Sequence, residues 1–167
     1  MSVGDNKLDL FNAAEKILEE INLVFQEYDE ELPERQFIVA GGEPPHDCAQ
    51  VSVAFVRHNI GAPNDQPFPG TMCGKPRNVS FTVEIVRDCA PAMGRKTANG
   101  SKVIPPTPEA LTEDARRKSI DMTLLMEAAD RVITPPNSVL EGTAEISIGP
   151  PRGKMQAVVL EITVGVE

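Results

Sequence analysis

Between Asp5 and Tyr28, apolar side chains recur every three or four positions, at Leu10/Phe11, Ala14, Ile17/Leu18, Ile21, Val24/Phe25 and Tyr28. This spacing predicts one helix with a single buried stripe. Glu15, Glu19, Glu20 and Glu27 fall mostly off the stripe, and Asp5 or Asp9 stands where the helix dipole favours negative charge. Pro33 bars any continuation. A second run of the same period follows Thr107-Pro108. Its stripe is Leu111, Ala115, Met122, Leu125, Ala129 and Val132; Thr107 is its cap and Pro135-Pro136 its stop.

Elsewhere the period falls to two, the signature of half-buried strands. Gln36 to Ala40 is a short strand. From Cys48 onward Val51, Val53 and Phe55 point one way, and Gln50, Ser52 and Ala54 the other. From Asn78 to Asp88, Val79, Phe81, Val83 and Ile85 alternate with Asn78, Ser80, Thr82 and Glu84. Two closing strands carry Leu140, Ala144, Ile146 and Ile148, then Val158, Leu160, Ile162 and Val164, joined by a Pro/Gly-rich hairpin loop over 149–154. Two long connections, 60–76 and 90–106, extend beyond so small a core, and Asn99-Gly100 favours a tight turn in the second, which reads as a flexible arm or a small hairpin. Adjacent strands on short links pair antiparallel. The pattern therefore predicts one α+β domain over 1–167: a two-layer sandwich in which a mainly antiparallel sheet of four to five strands packs on two helices.

Composition narrows the function. Apolar residues make up 41% of the 167 residues, enough for a core, but there is no tryptophan and one tyrosine. The core must be mostly aliphatic, and aromatic platforms for bases are scarce. A net charge of −9 disfavours a phosphate-gripping groove. No apolar run reaches bilayer length, and the first residues lack the order of a signal peptide, so a protein of a reducing cytoplasm is expected. Cys48, Cys73 and Cys89 are an odd number and hold no disulfide framework.

Most candidate chemistry reduces to simpler readings. His46-Asp47-Cys48 has the residue types of a nucleophile and base, but the neighbouring charge is acidic where a reactive thiol wants a cation. It reads as the way into a strand, with Asp47 accepting backbone hydrogen bonds and Cys48 packing inward. His46, Cys48, Cys73 and Cys89 form a zinc-type set without a closely spaced cysteine pair. Cys48 and Cys89 fall near one another on an antiparallel pair, to pack or to form a disulfide. Arg116-Arg117-Lys118 reads as a solvated face pairing with Glu113 and Asp114, and His58 as exposed. One pattern stands out: Glu84, Glu141, Glu145 and Glu161, with Ser80, Thr82, Thr143 and Thr163, occupy strand faces turned away from the helices. They are either the ordinary wet face of a sheet or an acidic channel wall along which DNA slides.

Three stretches carry a likeness: Leu32-Pro33-Glu34-Arg35-Gln36-Phe37, His46-Asp47-Cys48-Ala49-Gln50-Val51, and Cys73-Gly74-Lys75-Pro76-Arg77 leading to Phe81–Cys89. Over roughly Leu8 to Val132 the chain resembles a head-to-tail connector family of long-tailed actinobacterial phages, usually taken to be the tail terminator. That resemblance implies an α+β domain assembled as a hexameric ring at the head-proximal end of the tail. The ring halts tube polymerisation and docks the head connector. It implies no catalytic residue, metal or cofactor. The implied partners are further copies of the chain, the tail-tube protein and the connector or stopper; genomic DNA passes through without specific binding, and no membrane is involved. The two long connections read as arms reaching neighbouring subunits or the tube, with Phe68, Met72 and Met93 as apolar anchors. Another neck ring (stopper or adaptor) is the alternative, and a small cysteine- or zinc-dependent enzyme a remoter one.

Overall fold

A computed structural model describes residues 10–41, 44–60, 77–89, 93–97, 100–133 and 142–166. The chain runs α1 (Leu10–Glu27), β1 (Gln36–Ala40), β2 (Gln50–Ile60), β3 (Arg77–Asp88), β4 (Met93–Thr97), β5 (Gly100–Ile104), α2 (Pro108–Ile133), β6 (Gly142–Ile148) and β7 (Met155–Val166). Five strands form one sheet in the order β1-β2-β3-β7-β6, and β4 and β5 form a separate two-stranded sheet. This is an α+β fold with a mostly antiparallel sheet.

The α1 stripe is buried as its spacing requires: Ala14, Ile17, Ile21, Val24 and Phe25 face inward. Phe11 and Tyr28, at its two ends, are more than half exposed or close to it, at 50% and 56%. Asp29 ends the helix in the left-handed region (φ 56°), with the Glu30 amide donating to the Phe25 carbonyl at 2.9 Å. The stop therefore lies before Pro33. Asp5 and Asp9 lie outside the described residues.

The period-two strands deliver one aliphatic face. Val51 and Val53 of β2, Val79, Phe81, Val83 and Ile85 of β3, and Val158, Leu160 and Ile162 of β7 are buried there. The helices cover that face, α1 over β1 and β2, α2 over β6 and β7. A β-bulge between Phe55 and Arg57 shifts the β2–β3 register, so the residues beyond it resume pairing one step on.

Two expectations need correction. First, β1 and β2 run parallel, Gln36 opposite Val51 through Ala40 opposite Phe55, although the link between them is short. That link does not turn back as a hairpin; residues 44–49 lie against the sheet face opposite the helices, so β2 starts at the same end as β1. Second, α2 begins as expected, with the Ala110 amide donating to Thr107 Oγ1 at 3.2 Å, but Leu111 is 49% exposed and Ala115 is exposed too. Burial starts only at Lys118 and continues through Asp121, Leu124, Leu125, Ala128 and Ala129. The first turns of the helix therefore carry their apolar residues without burying them among the described residues. The second long connection is in large part a hairpin, one of the two forms expected of it: β4 and β5 pair antiparallel, Met93 opposite Ile104 through Thr97 opposite Gly100.

Gly142 opens β6 under tight contact. A Cβ there would lie 2.9 Å from Ile133 Cγ2 and 3.0 Å from the Thr163 carbonyl oxygen. Gly142→Ala forces backbone to give, and we expect a loss of about 1–3 kcal/mol in chemical denaturation. An unchanged midpoint would show that the α2–β6 junction is looser than these distances require.

Candidate functional site: the outer face of the sheet

The face turned from the helices divides into a covered part and an open part. Pro44 to Ala49 cross the first. His46 reaches inward from this segment, and its Nε2 lies 2.8 Å from Glu84 Oε2, with the two side chains only 6% and 10% exposed. Gln50 Nε2 donates to the Pro45 carbonyl at 2.7 Å. Ser52 stands opposite Glu84 on β2. His46 Nδ1, Gln50 Oε1 and Ser52 Oγ are buried without a protein hydrogen-bond partner, a concentration of polar groups that ordered water commonly satisfies. Next to them Val86, Met155 and Ala157 form a small second apolar cluster, packed by Val159.

His46-Asp47-Cys48 thus splits three ways. His46 is the internal pin. Asp47 is largely exposed and pairs with Arg35 Nη1 at 2.9 Å. Its carboxyl is held below the usual aspartate range, first by its own backbone amide and then by Arg35. Cys48 is half-buried at the rim instead of packed inward, and Arg35 Nη1 lies 2.8 Å from its Sγ. The cation missing from the local sequence therefore arrives from thirteen residues upstream. Arg35 also stacks over the Phe37 ring at 5.3 Å. Cys48 and Cys89 are both free thiols, and Cys73 lies outside the described residues. Among the described residues no three His, Cys, Asp or Glu side chains gather as a metal set.

Glu84 consequently does not belong to a wet acidic wall: its position on the outer face is right, but the crossing segment buries it. Glu141 lies outside the described residues. Glu145 and Glu161 remain, directly opposite one another on β6 and β7 and both exposed. Thr82 stands opposite Glu161, Thr143 opposite Thr163, and Ser80 Oγ is 3.1 Å from Thr163 Oγ1. This open part is hydroxyl-rich and acidic. Of the expected arm anchors, Met93 begins β4, while Phe68 and Met72 lie outside the described residues.

The helices are fastened by charge. Arg87 on β3 bonds Asp121 of α2 through Nε at 2.7 Å and Nη2 at 2.9 Å, and donates to the Glu31 carbonyl. Asp121 is 1% exposed, so this bidentate pair is the main polar tie through the core edge. Arg117 adds bonds to Glu30 and to the same Glu31 carbonyl. The basic run Arg116-Arg117-Lys118 is thus not simply a solvated face: Lys118 is buried against Asp114, and Arg117 clamps the α1–β1 link. Arg131 holds Glu27 at 2.8 Å and Glu127 at 3.1 Å.

Neither a protein-family model nor a curated protein sequence matches this chain. Among the described residues no helix is long and apolar enough to cross a membrane.

Arg87→Ala leaves Asp121 buried and uncompensated, and we expect a loss of about 3–5 kcal/mol by urea titration. Replacing both members by leucine should recover much of that loss; a single variant with wild-type stability would show that the pair is not the tie described. At the surface, Arg131 lowers the Glu27 carboxyl below its ordinary value. A lowered folded-state value contributes stability above the unfolded value, and that contribution disappears as pH falls through the folded one. In an NMR titration Glu27 should protonate at lower pH in the wild type than in Arg131→Ala; coincident curves would exclude the pairing in solution.

Proposed function

We propose that this chain is a structural virion protein of a long-tailed phage. In this reading it forms a hexameric ring at the head-proximal end of the tail, terminates tube polymerisation and joins the tail to the head connector, acting by shape without catalysis. Further copies of itself, the tail-tube protein and the connector or stopper are its partners. The sequence likeness over Leu8 to Val132 suggests the family. The observation that carries the reading is the open, acidic part of the outer sheet face, with Glu145 opposite Glu161. Like charges directly across a strand pair destabilise an isolated sheet. They are useful where a dense polyanion must pass without sticking, since duplex DNA carries a negative charge about every 1.7 Å of its axis. Thr82, Thr143 and Thr163 around them offer hydration without a cationic grip.

A ring made from one kind of subunit needs a heterologous interface that closes. Light scattering of the purified chain, alone and with tail-tube protein, should give a closed oligomer of about six copies under at least one condition. A monomer under both would overturn the reading. Deleting Arg95 to Lys102 should leave the circular-dichroism spectrum of the sandwich intact and weaken ring or tail assembly; unchanged tail length and infectivity would remove the arm from the mechanism.

A further inference from the structure

β1 is an edge strand: it pairs with β2 on one side and, among the described residues, with no strand on the other. An edge of unpaired amides and carbonyls is a template for another strand. Beside that edge runs a trough between α1 and β1. One part of it, about 420 Å³, is lined by Leu18, Phe37 and Ile38 with Glu15 and Glu19 on its rim. The adjoining part, about 650 Å³, shares Asn22 and Gln36 and carries Asp29, Glu31 and Glu34. Among the described residues no lysine or arginine lines either part, and Arg35, stacked over Phe37 beside it, is already paired with Asp47. The Asn22 and Gln36 amides exchange hydrogen bonds at 2.9 and 3.0 Å across the floor, which keeps α1 fixed against β1 and the trough open.

The same chain holds a segment with the opposite features. β4 and β5 pair only with one another among the described residues. A two-stranded hairpin without a third strand is marginal in water, so it needs a further surface. The stretch Met93–Ile104 contains Arg95, Lys96 and Lys102 and no acidic residue, in a chain whose net charge is −9. β4, β5 and β1 are each five residues long, about 17 Å at the usual rise.

We propose that the β4–β5 hairpin of one copy lies along the β1 edge of a second copy, adding its backbone to the five-stranded sheet and its net positive charge to the acidic α1–β1 trough. Main-chain hydrogen bonds supply the affinity of such strand addition, and the charges supply register and partner choice. Donor and acceptor are different surfaces of one subunit, so the contact is head-to-tail and propagates. The inference rests on the ring reading and specifies its contact.

The test is a charge exchange on the full chain, read by analytical ultracentrifugation and light scattering under the condition in which the wild type assembles. Arg95→Glu, Lys96→Glu and Lys102→Glu together should weaken self-association about ten-fold or more, because like charges then face one another across the trough. The thermal transition of the subunit should stay in place, since the hairpin lies outside the five-stranded sheet. A second chain carrying Glu15→Lys, Glu19→Lys and Glu34→Lys should assemble poorly alone, and an equal mixture of the two should recover assembly. Wild-type assembly by the hairpin variant, or no recovery on mixing, overturns the docking and leaves the ring reading in place. A wild-type chain that stays monomeric alone and with tail-tube protein overturns both. If duplex DNA at physiological salt is retained by the wild type and lost by the hairpin variant while assembly is unchanged, the hairpin serves DNA and the docking is wrong.

Discussion

The constraint on which this molecule depends is that its sheet has one apolar, mostly aliphatic face. Val79, Phe81, Val83 and Ile85 on the central strand β3 are buried to within 2% of their surface, with valines and leucines of β2 and β7 flanking them. That layer is stable only if something apolar lies on it, and α1 and α2 are the only helices among the described residues. With no tryptophan and few aromatic rings, the gap must be filled by many branched aliphatic side chains in close contact. The polar ties follow from the same need. Arg87 and Arg117 bind the α1–β1 link to α2 at the edge of this layer, which holds both helices in place over it.

The two faces of the sheet differ in how they are covered. The helix side is closed. The outer side is sealed at one end by the Pro44–Ala49 segment, with His46 and Glu84 beneath it, and open at the other, where β6 and β7 present carboxylates and hydroxyls. The sheet edge at β1 lies on the far side from β6, so the proposed docking at β1 would leave Glu145 and Glu161 of β6 and β7 uncovered.

Much of this was legible in the sequence where the signal is local. The stripe of α1 from Ala14 to Phe25 and the alternation in β3 and β7 predict the buried residues nearly one for one. The failures share a cause, which is dependence on a distant segment. Leu111 and Ala115 continue the apolar stripe of α2, but a helix wheel does not tell which turns are covered. The period of two puts Glu84 on the outer face; it does not tell that His46, thirty-eight residues earlier, lies over it. Cys48 has only acidic charge beside it in sequence because its cation, Arg35, lies thirteen residues earlier, just before β1. The parallel pairing of β1 and β2 escapes a rule based on link length, since the deciding fact is which face the link crosses.

The placement of β7 between β3 and β6 has a further consequence for synthesis. β3 and its partner β7 are separated by β4, β5, α2 and β6, so Val83 meets Leu160 only after nearly the whole domain has left the ribosome. Until then the central strand has one bare flank, and half of the aliphatic layer has no lid. Contacts this distant in sequence close slowly, and the waiting intermediate exposes a β-edge beside apolar surface. The domain therefore spends its most adhesive period just before β7 emerges, and synthesis interrupted there leaves a species prone to aggregate instead of a smaller folded subunit.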